Sequence, residues 1–264
     1  MIPLWQVILL TVVSFLVGIL GGFIGLALGT MRLPALLVLG VTPAAAAGTN
    51  ILVSTLSAAI GSIRHIREQR VDWRIVGLMG IPAVVGSFIG GFASSSTVPE
   101  GALIAIAGGF VTWQAVEFWM RLRRVAGPGP QQSDGALMTP GRGTAEAGIG
   151  LVVGLLGGAV GLILGSIRLP LIIRVLRADP RIAAGSNMVI GFLMGSFGFI
   201  GHGIKGEVDV VILVGMGLSG MAGTYIGALF TGRASLNLLI RTMAVVLLVV
   251  GVLLMRDGIS RLLA

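Results

Sequence analysis

The chain contains no cysteine. Disulfides, thiolate metal sites and cysteine nucleophiles are therefore excluded. Histidine occurs only twice and tyrosine once. Two histidines far apart in sequence make no metal site. A nucleophile elbow, a phosphate-binding loop with lysine and a His pair at helical spacing are all absent, so the sequence indicates no enzyme, no metal and no cofactor. The most informative scarcity is charge. Only 11% of the 264 residues are charged, against about 25% in a soluble domain. So few charges cannot cover a globular surface with water-facing groups, and the surface must face lipid.

Apolar residues and glycine take the place of charge. Hydrophobic residues make up 55%, the mean hydropathy is +1.03, and 43 residues are glycine. Glycine at that level belongs where membrane helices pack closely or break. The net charge of +8 would suggest nucleic acid in a soluble protein. Here the basic residues sit in short clusters between apolar runs, as in cytoplasmic loops, and one tyrosine supplies no aromatic–basic interleaving. The expected partners are a lipid bilayer and a small anionic substrate, with no nucleic acid; a homo-oligomer stays open.

A bilayer crossing needs roughly 17–25 apolar residues. Six runs qualify: Ala44–Ile63, Ile75–Ala93, Gly101–Met120, Ile182–Gly203, Val210–Thr231 and Leu236–Met255. Two longer regions, Trp5–Val41 and Ala145–Leu176, are interrupted by glycines, an arginine and a proline. Trp5–Leu20 has no basic segment before it and reads as a retained first span. Arg64, Arg67, Arg70 and Arg74 form one basic loop, and Arg121, Arg123 and Arg124 close another run; both predict the cytoplasmic side. The Pro- and Gly-rich stretch Gly127–Gly143 is a linker. The expected organisation is a first transmembrane repeat over 1–124, a cytoplasmic linker over 125–145 and a second repeat over 146–264.

The halves repeat. Gly18, Gly21, Gly22, Gly25, Gly29, Arg32, Leu33 and Pro34 match Gly154, Gly157, Gly158, Gly161, Gly165, Arg168, Leu169 and Pro170 at an offset of 136. At 137, Gly48, Asn50, Gly61, His65, Asp72, Gly86 and Gly90 match Gly185, Asn187, Gly198, His202, Asp209, Gly223 and Gly227. Duplication of this kind builds many secondary transporters, with the substrate at the repeat interface near mid-membrane. The fold class is thus all-α: a polytopic integral membrane protein with two pseudo-symmetric repeats of four to five transmembrane segments each, and Gly/Pro-broken helices near the repeat starts. Four segments per half make the repeats parallel; five make them inverted, which the loop charges favour narrowly.

The broken segments are where chemistry is expected. Glycine lets backbone approach a ligand closely, and proline ends helices. Together they predict a helix that breaks within the membrane, where free N–H groups and helix N-termini form an anion site. Arg32 and Arg168 stand three residues beyond Gly29 and Gly165. A guanidinium in the membrane costs at least about 2.5–3.5 kcal/mol on insertion scales, and here that cost is incurred twice at matching positions. Either the pair forks onto a shared anion, or each snorkels or pairs internally. Thr49-Asn50 and Ser186-Asn187 open the following runs, as helix caps or as donors to the same oxyanion. The substrate-binding candidates are therefore Arg32, Arg168, Thr49, Asn50, Ser186, Asn187, Gly29 and Gly165. His65, His202 and Glu117 are the candidates for proton coupling, the histidines standing otherwise as interfacial residues. Glu117, like Arg241, is otherwise half of a structural ion pair.

The repeat resembles the sulfite exporter TauE/SafE family of membrane transporters. Gly25, Gly29 and Pro34, with Gly161, Gly165 and Pro170, keep the frame of that family's Gly-rich stretch. Ala46, Gly48 and Thr49, with Ala183, Gly185 and Ser186, match its next element. Val71-Asp72-Trp73 and Val208-Asp209 match its loop, and Gly86, Gly90, Gly223 and Gly227 the span that follows. The resemblance covers nearly the whole chain except the linker. It implies export or uptake of small anions such as sulfite, organosulfonates or related organosulfur and carboxylate compounds. The expected protein is a secondary transporter in the inner membrane that works by alternating access, in the direction of export. An anion channel, or a membrane scaffold or sensor subunit, are the alternatives. One departure is notable: where the family has adjacent glycines, this chain has Ala27-Leu28-Gly29 and Ile163-Leu164-Gly165, with Arg32 and Arg168 just beyond. Recognition would shift from backbone amides towards guanidinium forks.

Overall fold

A computed structural model describes residues 3–24, 28–124, 140–174, 176, 178–206, 208–229 and 237–263. Every regular element among them is helical: α1 (Leu4–Ile24), α2 (Gly29–Val38), α3 (Pro43–Arg67), α4 (Trp73–Ile75), a π-helical turn (Val76–Gly80), α5 (Ile81–Thr97), α6 (Glu100–Arg124), α7 (Pro140–Val160), α8 (Gly165–Arg174), α9 (Pro180–Ile204), α10 (Val210–Leu229) and α11 (Asn237–Leu263). Six described segments are long and apolar enough to cross a membrane. Polarity is arranged inside out. Ile8, Val12 and Leu16 of α1, Val211, Val214 and Leu218 of α10 and Leu248, Val249 and Val252 of α11 face outward, while Ser14, Arg32, Asn50, Ser54, Ser57 and Arg168 are buried. That is the pattern expected when lipid is the solvent.

Each apolar run of the sequence becomes a helix, with two differences. The linker expected over 125–145 is shorter, because α7 begins at Pro140; residues 125–139 lie outside the described residues. The breaks, moreover, come before the prolines. In the second half α7 ends on Gly161 at φ +71°, the left-handed conformation open to glycine. The Leu162 N–H then reaches the Gly157 carbonyl at 2.7 Å and the Gly161 N–H the Gly158 carbonyl at 3.2 Å, the paired closure of a Schellman end. Pro34 stands inside α2 and Pro170 inside α8. Each removes one helical hydrogen bond without ending its helix. Gly25 and Ala27 fall outside the described residues.

The two halves exchange packing partners. A Cβ placed on Gly18 of α1 would press on the Gly220 carbonyl of α10. One on its counterpart Gly154 of α7 would press on the Ala83 carbonyl of α5. Likewise Gly223 abuts Phe15 and Ile19, and Gly86 abuts the counterparts Leu151 and Leu155. Close backbone approach at glycine is the standard glue between membrane helices. Across the centre, Ile51, Thr55, Ala58 and Gly61 of α3 meet Gly198, Gly195, Gly191 and Met188 of α9. The numbers fall as the others rise, so α3 and α9 run antiparallel. Gly101 against Gly258 and Gly108 against Gly251 give the same relation for α6 and α11. Counterpart helices thus cross in opposite senses, the inverted arrangement of the two left open by the loop charges.

Candidate functional site

The short helices α2 and α8 deliver Arg32 and Arg168 to the centre of the molecule. Their relative exposures are 1% and 0%. The Arg32 Nη1 lies 3.5 Å from Ser54 Oγ and Nη2 3.3 Å from Ser57 Oγ. Both serines lie near the middle of the 25-residue α3. Arg168 Nε donates to Asn187 Oδ1 at 3.1 Å, and its Nη1 points at the Met194 sulfur at 2.8 Å, on the central turns of α9. Both guanidiniums therefore sit at mid-depth, too far from the ends of these long helices to snorkel.

Their partners are weak for groups that carry charge. Among the described residues no carboxylate lies within ion-pairing distance of either. Arg32 Nε and Arg168 Nη2 are buried with no hydrogen-bond partner. A charge held this way costs several kcal/mol even after relaxation. The two lie on either side of the α3–α9 crossing. A Cβ on Gly191 of α9 would be 3.5 Å from Arg168 Nη2 and 3.9 Å from Ala58 Cβ, and Ala58 adjoins the Ser57 that Arg32 touches. Two guanidiniums without carboxylate partners at mid-depth make this centre electropositive in low-dielectric surroundings.

The Gly-Thr-Asn and Gly-Ser-Asn elements do three different things. They lie two turns inside α3 and α9, which start at Pro43 and Pro180, so they are not caps. The hydroxyls clasp the opposite half: Thr49 Oγ1 accepts from the Asp209 N–H at 3.0 Å and Ser186 Oγ from the Asp72 N–H at 2.9 Å. Those aspartates in turn cap the next helices, Asp72 Oδ1 accepting from Arg74 and Ile75 and Asp209 Oδ1 from Ile212. The asparagines face the broken helices. A Cβ on Gly29 would be 3.0 Å from Asn50 Nδ2, and one on Gly165 would be 2.9 Å from Asn187 Nδ2. Asn50 Nδ2 also donates to the Gly161 carbonyl at 2.8 Å, tying α3 to the break of the other half. Gly185 leaves room for the Arg70 carbonyl, which a Cβ would strike.

The remaining candidates are spread out. His202 is fully buried, and its Nε2–H donates to the Gly158 carbonyl at 2.8 Å. His65, its sequence counterpart, is only partly buried at the end of α3, with Nδ1 unpartnered. Glu117 is buried in α6 and 3.5 Å from Gln114 Nε2; Gln114 Oε1 is 3.4 Å from Thr30 Oγ1 at the start of α2. This polar chain from Glu117 to the broken helix joins residues 84 apart in sequence at its Thr30 end, and it gave no sequence signal. The Arg241 side chain lies outside the described residues. No group of three or more His, Cys, Asp or Glu able to hold a metal occurs among the described residues.

An all-helical, inside-out bundle with charge at its centre defines a multi-pass membrane protein. The chain belongs to the sulfite exporter TauE/SafE family, whose model matches residues 10–254. It is similar to the probable membrane transporter protein YunE of Bacillus subtilis (strain 168), with 25% identity across 96% of this chain and 98% of the relative. It is also similar to YdhB of the same organism, described as a probable membrane transporter protein, with 30% identity across 84% and 89%. The protein is therefore a membrane transporter. No solved structure matches the chain.

Proposed function

We propose that this chain is a secondary transporter that moves a small anion across the inner (plasma) membrane by alternating access, in the direction of export. The substrate class is sulfite, an organosulfonate or a related organosulfur or carboxylate anion; the description of the matching family as a sulfite exporter puts sulfite first. The observation that carries the reading is the pair of fully buried guanidiniums without carboxylate partners. An anion that binds there supplies the missing countercharge, and bidentate contacts to two forks suit a compact oxyanion. Gly29, Gly165, Asn50 and Asn187 frame the seat, while Thr49 and Ser186 hold the two halves in register around it. Export of an anion from a negative interior is favoured by about 2.3 kcal/mol per charge per 100 mV, so outward flux needs no coupled nucleotide.

Counterflow in proteoliposomes tests this. Vesicles loaded with excess sulfite take up labelled sulfite faster than empty ones, and the rate saturates. Flux without saturation or counterflow points instead to a channel, and absence of flux for every anion of the class contradicts the reading.

A further inference from the structure

The two halves of the site differ in the contact between arginine and asparagine. In the second half Arg168 Nε donates to Asn187 Oδ1 at 3.1 Å. In the first half the counterpart atoms, Arg32 Nε and Asn50 Oδ1, are both buried and both without a partner. Each residue is at most 1% exposed. The Asn50 carboxamide cannot have its ends exchanged: Nδ2 donates to the Gly161 carbonyl at 2.8 Å, and an oxygen placed there would face another acceptor. Its free atom is therefore an acceptor, whereas the free atom of Arg32 is a donor. They share one wall. Gly29 lies against both Asn50 Nδ2 and Ser54 Oγ, and Ser54 Oγ is the partner of Arg32 Nη1 at 3.5 Å.

A buried free donor and a buried free acceptor along one wall specify the ligand that can bridge them. A fully deprotonated oxyanion satisfies Nε–H but sets its own lone pairs against Asn50 Oδ1. A ligand with an anionic oxygen and an O–H on the same small centre satisfies both. We propose that Arg32 and Asn50 seat a singly protonated oxyanion, its charged oxygen accepting from Arg32 Nε–H and its hydroxyl donating to Asn50 Oδ1. This rests on the anion-transport reading above and goes further, by fixing the protonation state that the first half accepts. The second half, with Arg168 and Asn187 bonded to each other, makes no such demand.

Hydrogen sulfite and methanesulfinate are the direct probes: equal in charge, near in shape, and different in carrying O–H or CH3. Binding of both is measured by calorimetry on the detergent-purified full chain, at one mildly acidic pH where hydrogen sulfite is the main species. Leaving a buried acceptor unpaired is expected to weaken methanesulfinate by about tenfold or more relative to hydrogen sulfite. Asn50→Leu should narrow that ratio to about twofold. The wild-type ratio stands as a test even if the variant fails to fold. Equal binding of the two anions by the wild type overturns the proposal and means that water alone bridges the pair. A ratio unchanged in a folded Asn50→Leu overturns it as well. Binding of neither anion overturns this proposal and removes sulfite from the substrate class, whereas the transport reading itself fails only if no anion of the class is moved.

Discussion

Arg32 and Arg168 are held by hydroxyls, a carboxamide and a thioether, none of which neutralises a guanidinium. Removing either charge should therefore not weaken the unliganded fold. Arg32→Ala and Arg168→Ala are expected to match or exceed the wild-type melting temperature without anion, because each removes a buried charge worth several kcal/mol of desolvation, less the packing lost with the side-chain stem. A collapse of the apo protein in thermal unfolding would show instead that the arginines are structural pillars. The hydroxyls behave differently. Thr49→Ala and Ser186→Ala each leave a backbone N–H of the opposite half unpaired and should each lower stability by about 1–2 kcal/mol, read as a lower melting temperature. The arginines were legible in the sequence because an expensive residue recurs at matching positions. The clasp was not, since its partners are 160 and 114 residues away and a hydroxyl after glycine reads equally as a cap or a ligand.

At the scale of the element, glycine positions carry the packing. Gly86 and Gly90 on α5, and Gly223 and Gly227 on α10, lie against the backbones of α7 and α1 with no room for a Cβ. Gly227→Ala or Gly90→Ala should force the helices apart, cost about 1–3 kcal/mol and reduce the monodisperse fraction in detergent. Gly109, with nothing within 4 Å of a Cβ, should accept alanine without loss. The helices themselves were readable from apolar run length, and α11 is the main extension, continuing to Leu263 beyond the charged Arg256 and Asp257. Two local features were not. The π turn at Val76–Gly80 has no counterpart in the continuous α10; its two glycines, Gly77 and Gly80, weaken an α-helix locally but do not specify an extra residue per turn. The sequence assigns the break to glycine and proline together; in the second half Gly161 in the left-handed region makes it and Pro170 lies inside α8.

For the whole molecule the decisive relation is the antiparallel run of counterpart helices, which puts the turn after α3 and the turn after α9 on opposite faces. The absence of cysteine makes this simple to check. Single-cysteine variants Arg67→Cys and Ile204→Cys, both at exposed helix ends, should label oppositely with an impermeant maleimide, Ile204→Cys from outside intact cells and Arg67→Cys only after permeabilisation, as the basic loop beside Arg67 dictates. Labelling of both from the same side would contradict the inverted arrangement. The matching of the halves is legible in the sequence because the offset is nearly constant along the chain. The direction of the second half was not, because Arg256 and Arg261 oppose the bias set by the arginines around the linker and before α9.

The proposed anion site rests on two buried guanidiniums without carboxylate partners. Thermal unfolding of the detergent-purified protein against sulfite, sulfate, thiosulfate, sulfonates and short carboxylates tests it most directly. An anion bound only by the folded state at a hundred times its dissociation constant adds about 2.7 kcal/mol. The account predicts a rise in melting temperature with at least one of these anions, lost in both Arg32→Ala and Arg168→Ala. No rise with any of them, or a rise that survives both substitutions, would contradict it.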